Sequence, residues 1–175
     1  MSLAAHFARM ARNNAWSNRR LHRACAALSQ ADFERERTSF FPTLQATLNH
    51  ILTVDWFYVD ALEAGGRGLA VLENPIPCPR MAELARAQDE SDARLVRFCE
   101  SLRDADLERE VTIDRGDEGL TRESVLNVLS HLFIHQIHHR GQAHAMLSGT
   151  AVAAPQLDEF FLDYDGPRRA GEELD

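Results

Sequence analysis

The sequence predicts an all-α fold, a four-helix bundle with a short C-terminal docking segment. Three observations predict it. Four long stretches, 2–28, 43–64, 80–103 and 122–148, carry apolar residues at helical spacing. Glycine (9) and proline (6) are sparse in 175 residues, and every proline lies outside those stretches. The stretches follow one another with no internal repeat of fixed period. One domain over 1–165 is expected, with a flexible tail over 166–175.

The first helix carries Leu3, Phe7, Met10, Asn14, Leu21 and Leu28 on one side. Residues 29–41 are polar and breaking, and end in Phe40-Phe41-Pro42. Pro42 suits a first helical position, where its missing N–H has no partner to lose. The second helix stops at Gly65-Gly66, and three prolines punctuate the loop that follows. The third turns Met81, Leu84, Leu95, Phe98 and Leu102 inward. Residues 107–114 alternate with period two and predict a strand or extended arm, followed by a turn at 115–119. Thr121 is the expected cap of the fourth helix, with Glu123 favouring its positive end. Gly149 stops it, and Leu157, Phe160, Phe161 and Leu162 form the docking segment. The first and third connections are longer than usual helix–helix loops, so a simple hairpin topology does not follow from spacing.

Composition narrows the function. A net charge of −8 opposes nucleic-acid binding, which runs on cationic counterion release. All 19 basic residues are arginine, and the cluster Arg19, Arg20 and Arg23 reads as a solvated helix face. No apolar run approaches the roughly 20 residues of a membrane span, and no leader is evident. Three scattered cysteines, Cys25, Cys78 and Cys99, form no C-x-x-C and suit a reducing cytoplasm. Cys25 and Cys99 read as core, and Cys78 as a loop thiol.

Five of the eight histidines, His131, His135, His138, His139 and His144, fall within one stretch of the fourth helix. Spacings of three and four put two imidazoles on one face, where both can reach one cation. With His135 set at zero and about 100° per residue, Val128, Met146, Leu132, Leu129 and Leu147 define a core face at about 20–120°. His139 lies at about 40° and His135 on the edge of that face. Gln142, His131 and His138 lie progressively further out, and His144 lies opposite. The inward pair is therefore His135 and His139. Two adjacent buried imidazoles are hard to satisfy with each other, and a cation solves that problem. Core histidines bonded to neighbours such as Gln136 are the competing reading. On the second helix His50 shares a stripe with Val54, Phe57 and Ala61, which makes it the best third ligand. Three neutral imidazoles leave one coordination position open, as in catalytic rather than structural sites. Such ligands suit zinc, nickel, iron and copper, with zinc or nickel the expected divalent ion. Asp55, Gln142, His131 and His138 are candidates for orienting the ligands. Arg140 reads as a surface or interface charge. Trp56 and Tyr58 read as packing.

Leu48-Asn-His-Ile-Leu-Thr-Val-Asp55 and His135-Gln-Ile-His-His-Arg-Gly-Gln142 resemble the DinB family. Asn14-Ala-Trp-Ser-Asn18 and Leu157-Asp-Glu-Phe-Phe-Leu-Asp-Tyr164 extend the resemblance over about 2–165. It implies a four-helix bundle holding a divalent metal on His50, His135 and His139, and a homodimer. It also implies a small-molecule substrate, with thiol S-transferases using a low-molecular-weight thiol among the relatives. The expected function is a metal-dependent transferase or hydrolase. A non-catalytic, stress-related metal-binding dimer is the alternative.

Overall fold

A computed structural model describes residues 2–169. The chain is mostly helical, with four long helices: α1 (Leu3–Cys25), α2 (Leu44–Leu62), α3 (Met81–Ser101) and α4 (Val125–Ser148). Two short strands, β1 (Glu110–Asp114) and β2 (Leu120–Ser124), pair antiparallel with Val111 opposite Glu123 and Ile113 opposite Thr121. No helix among the described residues is long and apolar enough to cross a membrane.

Side-chain pairs fix the helix directions. Arg12 meets Glu100 and Arg19 meets Asp89, so α1 and α3 are antiparallel. Asp55 meets Gln88 and Glu63 meets Arg94, so α2 and α3 are parallel. His50 meets His135 and Tyr58 meets His131, so α2 and α4 are antiparallel. Phe7 stacks on Phe133 and Asn14 meets Arg140, so α1 and α4 are parallel. Consecutive helices α1 and α2, and likewise α3 and α4, are not principal neighbours. They face each other diagonally, which accounts for the long first and third connections. The middle connection must run back the length of a helix to let α3 lie parallel to α2.

Local chemistry sets the ends. Ser2, Thr43 and Ser124 each accept a hydrogen bond from the backbone N–H three residues on. Thr43, not Pro42, is the residue at the start of α2, with Pro42 just outside it. Ser124 replaces the expected Thr121, because Leu120–Ser124 is drawn into the hairpin and α4 starts only at Val125. Residues 104–108 form a 3₁₀ turn before β1, shortening the expected extended stretch. At the end of α2 the left-handed residues are Ala64 and, as expected of the glycine pair, Gly66. Gly65 is needed for closeness: a Cβ there would stand 2.2 Å from Asp60 Oδ1.

The apolar core has two parts. Phe7, Phe57, Leu95, Ile113, Leu132 and Phe133 fill the hairpin end. Leu21, Leu48, Leu52, Leu84, Met146 and Leu147 fill the other. Between them lies a polar layer built from all four helices. Arg140 Nη1 donates to Asn14 Oδ1, to Asn18 Oδ1 at 3.0 Å and to Gln136 Oε1 at 3.1 Å. Asn14 and Asn18 turn their amide nitrogens onto Asp92 at 3.0 and 3.1 Å. Gln136 donates to Asp55 Oδ1, and Gln88 donates to Asp55 Oδ2 at 2.6 Å and Asp92 Oδ1 at 3.1 Å. All seven residues are buried. Arg140 is therefore an interior charge, against its surface or interface reading. His22 is also buried; burial, then Arg140, pushes it down to about 4, so it is neutral.

The arginine cluster binds its own chain. Arg20 lies 4.6 Å over the Trp16 ring and donates to the Gln156 carbonyl at 2.7 Å. Phe160 and Phe161 dock on α1, with Phe160 5.7 Å from Trp16 and Phe161 under Arg9. Leu162, from the same expected segment, is exposed. Gly166–Arg169 adds a turn of helix, and the rest of the expected tail lies outside the described residues. Cys25 and Cys99 are core thiols as expected, while Cys78 is half-buried with its backbone paired to Asn49.

Arg140→Met, which leaves two buried carboxyls without their cation, is expected to cost about 3–5 kcal/mol in urea unfolding. A second expectation concerns pH. Burial pushes Asp55 and Asp92 up from 3.8, and for Asp55 the neighbouring Asp92 adds to it. The folded chain therefore holds protons that the unfolded chain releases between about pH 4 and 7. Stability from the pair is full below that window and declines as pH rises through it. In Asp55→Asn, where Gln88 can turn its unpartnered Oε1 toward the new amide, this decline shrinks. Urea midpoints at about pH 5 and 8 should show the wild-type advantage over that variant falling by on the order of 1–3 kcal/mol.

Candidate metal centre

The three histidines picked out above come together between α2 and α4. His50 Nε2 and His135 Nε2 stand 2.9 Å apart. The ring of His139 lies 4.4 Å from that of His135 and 4.6 Å from that of His50. One nitrogen from each ring falls within a common 4.8 Å group, so the three are positioned to bind a metal ion.

Helix periodicity delivers this geometry. His135 and His139 are one turn apart, and Gln136 and Arg140 repeat that spacing one residue later. The second pair is rotated by about 100°. One helix thus presents two polar stripes, one to the interior layer and one to α2. Pinning Arg140 between Asn14 and Asn18 fixes the rotation of α4 and so aims the histidines.

Burial sets their protonation. His50 is pushed down to about 4, first by burial and then by His139. His135 is pushed down to about 3, first by burial and then by the surrounding histidines. His139 is lowered too, mainly by burial, with the Gln142 contact opposing. At neutral pH the rings are uncharged, and each neutral imidazole has one nitrogen lone pair to offer a cation. The donor set fits a divalent ion: three neutral nitrogens, with no carboxylate or thiolate joining them among the described residues.

The neighbouring polar residues divide. Gln142 Oε1 accepts from His139 Nδ1 at 2.8 Å, which turns the Nε2 lone pair of His139 to the centre. Gln142 Nε2 lies 3.0 Å from His138 Nε2 and donates to it, so exposed His138 orients the amide. His131 is exposed, packs edge-on against Tyr58 at 5.2 Å and stands 6.3 Å from His135. Asp55 is not brought to the histidines: both its oxygens are held by Gln88 and Gln136. His144, expected opposite the site and exposed, is half-buried and bonded to the Pro155 carbonyl at 2.9 Å. His135 Nδ1 is buried with no hydrogen-bond partner, so only packing and the Nε2 contact with His50 orient that ring.

Sequence reasoning missed Phe41. Its ring lies 4.4 Å from His50 and 5.6 Å from His139, and Phe40 meets it edge-on at 4.9 Å. Two adjacent phenylalanines in a polar stretch, just before the helix that carries His50, were the available signal.

Comparison with known proteins agrees with this architecture. The chain is 23% identical over 150 residues to Protein DinB of Bacillus subtilis, covering 83% of this chain and 86% of that one. The crystal structure of a DinB-like protein from Bacillus cereus has the same fold, with a TM-score of 0.62 and 17% identity over 81% of this chain and 90% of that one. The sequence profile of the DinB family matches residues 1–169, and with that match over nearly its whole length the chain belongs to the DinB family.

Proposed function

We propose that this chain is a four-helix bundle metalloprotein in which His50, His135 and His139 hold a divalent ion, zinc or nickel. The observation that carries this is the meeting of three neutral imidazole nitrogens from two helices within 4.8 Å. Three protein ligands leave a coordination position for a small molecule, the arrangement of catalytic rather than structural sites. We read the protein as a metal-dependent enzyme of the thiol S-transferase or hydrolase type. When bound, the ion lowers the pKa of a coordinated thiol or water and so supplies a nucleophile at neutral pH. The chain's own part is positional. Gln142 holds His139 in the tautomer that ligates, and the Phe41 ring walls His50 and His139 from water on one side. Homodimerisation is part of the proposal, supported by exposed Ile134 and Ile137 on α4. A small-molecule substrate, a low-molecular-weight thiol in particular, action in the cytoplasm and no nucleic-acid partner complete it.

One observation favours a second reading, a non-catalytic metal-binding dimer. Asp55, the acid candidate nearest in sequence to a ligand, is sealed in the polar layer, so it is not available there as a general base.

Purified protein is expected to carry about one divalent ion per chain by elemental analysis. His139→Ala should lose stoichiometric binding, and unchanged loading would sink the site. Gln142→Ala, which frees the ligand's far nitrogen, should weaken metal affinity by about 10- to 100-fold in a competition titration. A conjugation screen of the loaded protein with several thiols separates the two readings: turnover supports the enzyme, and none with any thiol favours the dimer.

A further inference from the structure

A small hollow of about 200 Å³ lies at the hairpin end of the histidine group. Tyr58, Arg115, Glu123, Asn127 and His131 line it over an apolar floor of Ile113. It adjoins the metal centre through His131, whose ring stands 6.3 Å from that of His135.

Two opposite charges face this hollow without neutralising each other. Arg115 donates one Nη1–H to the Tyr58 hydroxyl at 3.2 Å, with its guanidinium 5.8 Å from that ring. Glu123 Oε2 accepts from Asn127 Nδ2 at 3.3 Å. No ion pair joins Arg115 to Glu123 among the described residues. A guanidinium offers five donors in a rigid fork, so Arg115 keeps donors for a carboxylate. Glu123 keeps lone pairs for an ammonium. A lone anion would be repelled by Glu123 and a lone cation by Arg115. The complementary ligand group carries both charges on neighbouring atoms, as the end of an amino acid does.

Helix geometry gives the ligand's length. Tyr58 follows His50 by eight residues, about 12 Å along the axis. A molecule touching both places is therefore about the size of a dipeptide.

We propose that this hollow binds the α-amino-acid end of a dipeptide-sized thiol, its carboxylate on Arg115 and its ammonium on Glu123, with its sulfur toward His50, His135 and His139. The proposal rests on the metal-site reading above. It makes Arg115 and Glu123 residues that select the thiol, placed on a hairpin and a helix approach that supply no metal ligand.

The test titrates cobalt-loaded full-length protein with three probes: γ-glutamylcysteine, glutarylcysteine, which lacks the ammonium, and 4-aminobutanoylcysteine, which lacks the carboxylate. Calorimetry reads affinity, and the sulfur-to-cobalt absorption band reads thiol contact with the ion. γ-Glutamylcysteine should bind tightest. Arg115→Gln should weaken γ-glutamylcysteine and glutarylcysteine by about tenfold to a hundredfold and spare 4-aminobutanoylcysteine. Glu123→Gln should spare glutarylcysteine and weaken the other two. Arg115→Lys, which keeps the charge and loses the fork, should fall between and serves if the glutamine variant does not fold. Equal binding of the three probes, or an Arg115→Gln effect that is equal on all of them, overturns the proposal. Failure to take up cobalt overturns the metal reading instead, and the calorimetric contrast between Arg115→Gln and wild type still decides the hollow.

Discussion

Arg140 carries its charge in the middle of the helices, where an unanswered guanidinium costs several kcal/mol. The answer is indirect. Its hydrogen bonds run to amide oxygens, those of Asn14, Asn18 and Gln136, and each amide passes its nitrogen on to Asp92 or Asp55. The charge is met by two carboxyls through oriented dipoles rather than by a direct pair. Because the relay draws on α1, α2, α3 and α4, it closes only when the four helices stand at one mutual height. Apolar packing above and below supplies most of the burial, but apolar contacts tolerate sliding and this relay does not.

The histidine group inherits that height. His135 and His139 stand beside Gln136 and Arg140 in sequence, so their aim toward α2 is fixed by bonds made on a different face of the same helix. On α2, His50 and Asp55 play the same two parts, one at the centre and the other in the relay. The centre itself has less internal support: Gln142 and His138 orient His139, while His135 Nδ1 has no partner.

Much of this was legible in the sequence, and the failures have physical causes. The four helices were readable because breakers stand between them and periodicity runs through them. The trio of histidines was readable because a helical wheel separates inward from outward imidazoles. The interior layer was not, although it has a signature: Asn14 and Asn18, Gln88 and Asp92, and Gln136 and Arg140 are all polar pairs four apart. Polar residues at that spacing usually mark a solvated face, and only their partners on three other helices make them interior. The strand Leu120–Ser124 was read as the start of a helix because Thr121 and Glu123 look like capping residues. Its pairing with Glu110–Asp114 outweighs that local preference and moves the cap to Ser124. The Arg115–Tyr58 contact joins segments distant in sequence, so no local pattern announces it.

The two stripes of α4 divide labour in a way that bears on how such a protein can change. One stripe answers the interior charge, and the other faces α2 and the ligand space. A substitution on the second stripe, at His135 or His139, leaves the relay of amides and carboxyls complete. The scaffold can therefore persist while the chemistry it displays is altered or lost. The three histidines can change without the helices first having to be rebuilt.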